Sequence, residues 1–450
     1  MAASELKITW EWELAPTVRA PEHQATWALV QIQAGTDYVT LVEDRESGSS
    51  RRSIYCPLYP LAEWVVYNWW FLQADARPSG FLSQERGQVN PASRRLPASV
   101  RERHSIRASG DGFAWPDLLI VPDGGGKTRL VWEPDRARIS NWPIRFLTRG
   151  DMRIGSEIVQ RELELLVSSV LTRLTEQGVT DTVLAKEWRA IQQTSPEESE
   201  YCLAAARLGL DPYCDSDDYE QEIIQASESL SSNLLTDFLN AVEPSRIKTA
   251  LNWVLSAWRT VERATRTVQS LAPSADAIYD MRTAAANVGS LAHLPPWDVG
   301  YWQARSIRDQ VIPDNKEPFP VERYVPKLAR ADADLSVQAL GRGAAQRYPL
   351  VVIGRSRPAT ASRFTLSRAL WHCIWDDSPT FMVTSAHTYP QRVERAFAAE
   401  LLAPAEGIAS LLESPPDVAT QDELEQIAKH FGVGSLVIDH QVRNRLLAAP

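Results

Sequence analysis

The chain has 450 residues, 44% of them apolar and 23% charged, the makeup of a globular protein with several domains and ample core. No window of 18 consecutive apolar residues occurs, and Met1-Ala2-Ala3-Ser4-Glu5 has neither a basic nor an apolar leader, so neither a membrane span nor a signal peptide is expected. The net charge of −10 lies in the middle: residues 151–300 carry 12 Lys/Arg against 23 Asp/Glu, while the flanking thirds balance at 18 against 17 and 17 against 17. Such an acidic segment repels phosphate backbones and argues against non-specific nucleic-acid binding there.

In chain order, Leu6 to Leu14 alternates apolar and polar, the period of a half-buried strand, and Thr26 to Ile32 and Tyr38 to Val42 look similar. Ala34-Gly35-Thr36-Asp37 reads as the turn between them. Pro60 to Phe71 is helical in pattern, with Pro60 suited to a first turn. Arg86 to His104 is polar and basic, and is expected to be a loop. Asp123-Gly124-Gly125-Gly126-Lys127-Thr128 invites a phosphate-loop reading. The phosphate-loop pattern requires a glycine where Val121 stands, so a glycine-rich hairpin between two strands is the better reading. Nine of the sixteen tryptophans fall before residue 150, and a tryptophan-rich core is preferred to a binding surface.

From Ser156 the period becomes helical: Val159, Leu163, Leu166, Val167, Val170, Leu171 and Leu174 form one stripe, closed by Gly178. Asp211, Asp215, Asp217 and Asp218 lack the order of a calcium loop and read as caps and solvated surface. Leu251, Val254, Leu255, Trp258 and Val261 line a further amphipathic helix. Cys56, Cys202, Cys214 and Cys373 have no metal-binding or disulfide-framework spacing, which points to a reduced, cytoplasmic protein.

The most informative segment follows Pro349-Leu350-Val351-Val352-Ile353, a strand-like run. It consists of Phe364-Thr365-Leu366-Ser367-Arg368-Ala369-Leu370-Trp371-His372 and then Phe397-Ala398-Ala399-Glu400-Leu401-Leu402-Ala403-Pro404. This pair of blocks resembles the ImmA/IrrE family of metallopeptidase-like proteins. That family's pattern is a helix of type F-T-L-A-H-E-L-G-H, a second helix with an acidic ligand ahead of F-A-A-E-L-L-x-P, and a short helical tail. The resemblance covers about residues 300–450.

The departures bear directly on chemistry. The first His position holds Arg368, a guanidinium without a free lone pair, and the general-base position holds Ala369. His372 fills the second His position. The third ligand would fall near Gln391 or Val393, and Glu394 is one residue from that register. Without base and first ligand no catalytic residue is assigned. Arg368 and His372 are then expected to be an i,i+4 polar pair on a packed helix.

The expected architecture is α+β and multidomain: a β-rich, Trp-rich module (1–150), an acidic helical module (151–294) and a mainly helical, zincin-like domain (295–450). The resemblance implies a non-catalytic regulatory protein, a pseudopeptidase that binds a protein partner of the helix-turn-helix regulator class in a stress or phage-defence response. No cofactor, nucleic acid or membrane is expected to take part.

Two alternatives stand beside this reading. An active zinc peptidase would use His372, Glu394 and a third ligand such as His387, with Glu400 as a distant base. A DNA-binding regulator would use the tail, where Leu424 to Phe431 and Leu436 to Leu447 have helix-turn-helix spacing and Gln441, Arg443, Asn444 and Arg445 could reach a groove.

Overall fold

The computed structural model describes residues 5–15, 17–82, 96–135, 142–265, 272–285, 291, 294–312, 314–325, 327–331, 336–343, 350–354 and 359–447. Side chains are described at all of these except 265, 272–275, 284–285 and 327–331. Packing divides the chain into two compact units, whose described residues end at Asp217 and begin at Asp218. The acidic helical stretch is therefore shared between them. The architecture is α+β: small antiparallel sheets with helices in the first unit, and one four-stranded sheet with mostly helical surroundings in the second.

In the first unit, strand Leu6–Trp12 pairs antiparallel with Trp27–Ala34, running from Leu6 against Ala34 to Trp12 against Ala28. Trp27–Ala34 alternates half-buried and buried positions along its whole length, as its apolar–polar alternation predicts. The strand expected over Tyr38–Val42 is instead split into Asp37–Tyr38 and Val42–Asp44, in different sheets.

Asp117–Pro122 and Lys127–Glu133 form the anticipated hairpin, with the Asp123 N–H donating to the Lys127 carbonyl at 2.8 Å. Its turn holds Gly124, Gly125 and Gly126 at φ of 75°, 59° and 67°, backbone that side chains rarely adopt. Of the expected loop Arg86 to His104, residues 86–95 lie outside the described residues, and Ala98–His104 is a helix.

The helical run Pro60 to Phe71 breaks at Asn68 into Tyr59–Tyr67 and Trp69–Ala74. Helix Ser156–Glu176 buries Val159, Leu163, Leu166, Val167, Val170 and Leu174. Trp64, Trp69, Trp70, Trp115 and Trp132 are buried, whereas Trp142 is exposed, so the N-terminal tryptophans are mainly core.

In the second unit the sheet order is Lys327–Ala331, Leu350–Gly354, Val337–Arg342, Thr380–Thr384, with the first pair parallel and the others antiparallel. Alternate residues sort onto two faces. Ala339, Val351, Ile353, Phe381 and Val383 enter one core with Leu366, Ala369, Leu370 and Cys373 of helix Ala359–Trp375. The other face, with Leu340 and Thr380, meets Ser232–Ala241 and Ile247–Thr265, leaving a cavity of about 230 Å³ lined also by Leu234, Val254 and Trp258.

Helix Tyr389–Leu402 lies against Ala359–Trp375 and, along its other side, against Pro296–Val311. Gly300 permits that second approach. A Cβ there would meet the Val393 carbonyl at 2.4 Å and the Ala396 Cβ and Phe397 nitrogen at 2.7 Å. Gly300→Ala is therefore expected to cost about 1–3 kcal/mol through overpacking, read as a lower denaturation midpoint for this unit. An unchanged midpoint would show that the helices separate freely.

Candidate functional site

Helix Ala359–Trp375 follows strand Leu350–Gly354, as the strand-then-helix reading anticipates, and carries Arg368, Ala369 and His372 on its buried side. Ala369 is a core residue. Arg368 and His372 do not bond each other. They are joined through Glu394 of the adjoining helix, which inserts between them.

Arg368 donates to Glu394 Oε1 through Nε at 3.0 Å and also through Nη2. His372 Nε2 meets Glu394 Oε2 at 2.7 Å, and its Nδ1 meets Asp376 Oδ2 at 2.9 Å. The Arg368 fork is completed by Gln338 Oε1 at 2.9 Å and the Thr384 carbonyl at 2.7 Å. The His372 ring stacks on Phe381, with centroids 4.7 Å apart and planes 3° apart. The outcome is a buried chain of alternating charge: Arg368, Glu394, His372, Asp376.

The register argument about Glu394 is corrected by this geometry. Glu394 faces His372 directly, while Gln391 turns aside and donates to Asp237 Oδ1 at 2.9 Å, and Val393 is buried apolar core. The two helices cross so that the residue after Val393 points into the gap, a relation that helical period alone does not supply. Asp376, Gln338 and Asp237 were not singled out from sequence. Asp376 had a signal, because it stands four residues after His372 on one helix.

The electrostatics follow from burial opposed by pairing. Burial disfavours the His372 imidazolium, but Glu394 and Asp376 outweigh it and raise its pKa to about 9. Burial likewise opposes the Asp376 carboxylate, yet bonds from His372 and Ser378 hold it at about 2. Burial also opposes ionisation of Glu394, and Arg368 and His372 nonetheless lower its pKa. Asp237 lies nearby without a cation of its own, and burial raises it to about 7.

These residues fit a metal poorly. Arg368 places a permanent cation on the carboxylate that would be a ligand, and both ring nitrogens of His372 are engaged. Among the described residues no group of three His, Cys, Asp or Glu side chains could hold a metal ion. His387, the proposed third ligand, is exposed and makes no hydrogen bond or ion pair among the described residues. Desolvation by the surrounding residues and the guanidiniums of Arg395, Arg368 and Arg392 push its pKa down to about 4.

Glu400, the candidate distant base, is buried and committed to Arg305 Nε at 2.9 Å and Gln441 Nε2 at 2.7 Å. That second bond ties down the tail. Gln441 is buried and also donates to the Ala403 carbonyl, Arg443 pairs with Asp439, and Arg445 lies 4.5 Å over the Tyr301 ring. The tail is thus helices Gln421–Phe431 and Ser435–Gln441, joined through left-handed Gly432, and a π-helical turn Val442–Leu446, with Gln441, Arg443 and Arg445 of the four groups available for DNA contact engaged within the fold. Trp371 donates to Gln303 and Trp375 packs edge-on against Phe397. No described helix is long and apolar enough to cross a membrane. The chain matches no known protein family, and no curated protein is detectably similar to it.

Proposed function

We propose that the C-terminal unit is a pseudopeptidase related to the ImmA/IrrE family, acting as a regulator by binding a protein partner of the helix-turn-helix class. The observation that carries this reading is the commitment of both Glu394 oxygens, one to Arg368 and one to His372. Arg368 and His372, at the two His positions, instead join Glu394 in an internal ion chain and the general-base position holds the core residue Ala369, whereas a peptidase needs three protein ligands and an open site for a zinc-bound water. Four cysteines without a disulfide among them support a reducing, cytoplasmic setting.

The test is the metal content of protein purified without chelator and then dialysed against zinc, with His372→Ala alongside. Less than about 0.1 zinc per chain in both is expected, since two ligands hold zinc far more weakly than three. One zinc per chain, lost in His372→Ala, would restore the peptidase and remove this reading.

A further inference from the structure

We propose that Arg395 and His387 form a carboxylate-accepting contact at the end of the ion chain, receiving one Asp or Glu side chain of the protein partner. The inference rests on the partner-binding reading above and names the chemistry of that partner.

Two guanidiniums converge on one carbonyl: Arg368 Nη2 donates to the Thr384 oxygen at 2.7 Å and Arg395 Nη2 donates to the same oxygen at 3.2 Å. Arg368 is paired with Glu394, whereas Arg395 bonds no carboxylate. Among the described residues its one other bond goes from Nη1 to the Gln391 carbonyl at 3.3 Å, and no carboxylate is within ion-pair distance. Burial and the neighbouring Arg368 lower the Arg395 pKa to about 9, with Glu394 opposing them, so its half-buried charge is costly until a counter-ion arrives. Five donors in a fixed fork leave it capacity for one.

His387, three residues beyond Thr384, is exposed, and its imidazole is without a partner among the described residues. A neutral imidazole offers one N–H donor, so cation and donor together suit a single carboxylate. Charge fixes the class further. Arg368 and His372 are balanced by Glu394 and Asp376, and Arg395, which acts on His387 together with Arg392, adds positive charge at this end. Excess positive charge calls for an anion, and a carboxylate is the anion that a protein side chain supplies.

The experiment titrates the full chain, at constant ionic strength, with glutamate blocked at both ends and with the matching blocked glutamine, following the His387 ring protons by NMR. The expected result is a saturable shift with the glutamate compound only, weakened at least about tenfold in Arg395→Gln, the loss of one charge-assisted bond. His387→Ala removes an exposed, unbonded ring and leaves the fold intact, so weaker binding in that variant, measured by calorimetry, would have no folding explanation. No saturable shift, an equal shift with glutamine, equal binding in Arg395→Gln, or tighter binding of inorganic phosphate would each overturn the proposal. Zinc bound stoichiometrically beside an intact glutamate response would remove the pseudopeptidase reading and leave the contact standing.

Discussion

Glu394→Leu is expected to be the most damaging single substitution in the second unit, costing about 3–5 kcal/mol, the range for removing one partner of a buried ion pair. Glu394 is wholly buried and is the one anion between Arg368 and His372. Without it Arg368 keeps two neutral acceptors, Gln338 and Thr384, and two cations remain buried side by side. The measurement is urea unfolding, with hydrogen exchange in Ala359–Trp375 reporting this unit separately. The triple variant Arg368→Met, His372→Leu, Glu394→Leu removes every charge at once and should recover most of the loss, because apolar residues of similar volume often replace buried ion groups at little cost. A loss under about 1 kcal/mol in Glu394→Leu, or a triple variant worse than the single, would show that the chain does not hold the two helices together.

The ease of reading this site from sequence depended on whether the determining interaction was local. Strand Trp27–Ala34, the glycine hairpin after Asp123 and the stripe of Ser156–Glu176 were legible because a short period or a turn residue specifies each. The strand-then-helix order before His372, and the presence of Arg368 and Ala369 where ligand and base would stand, were equally plain. What Arg368 does instead was not legible. Its partners Glu394, Gln338 and Thr384 come from one helix and two strands 16 to 30 residues away, and the helix crossing decides which of Gln391, Val393 and Glu394 turns inward. A local rule suggested Arg368 paired with His372, whereas a buried cation gains far more from a carboxylate than from another cationic group. The split of Tyr38–Val42 between two sheets has the same origin, since Val42 pairs with Phe146, about a hundred residues later.

The ion chain also predicts how stability responds to pH. The folded-state pKa of His372 is raised to about 9 from 6.5, so the fold favours its protonated form. The corresponding stabilisation is fully present below pH 6.5 and disappears as pH rises through 9. Asp237, raised to about 7 from 3.8, has the same sign at lower pH: its contribution is present below 3.8 and is lost as pH rises through 7. Asp376 has the opposite sign, since a value held at about 2 stabilises above pH 3.8 and fails as pH falls through 2. The second unit should therefore weaken steadily between pH 6.5 and 9.5, the His372 part being on the order of 3 kcal/mol at most, at about 1.4 kcal/mol per pKa unit. His372→Gln keeps a donor for Glu394 but does not titrate. Melting temperatures of wild type and variant should lie well apart at pH 6 and converge by pH 9.5. A constant gap across that range would mean that the imidazole enters the fold neutral, and the alternating charge of Arg368, Glu394, His372 and Asp376 would then be incorrectly assigned at its third member.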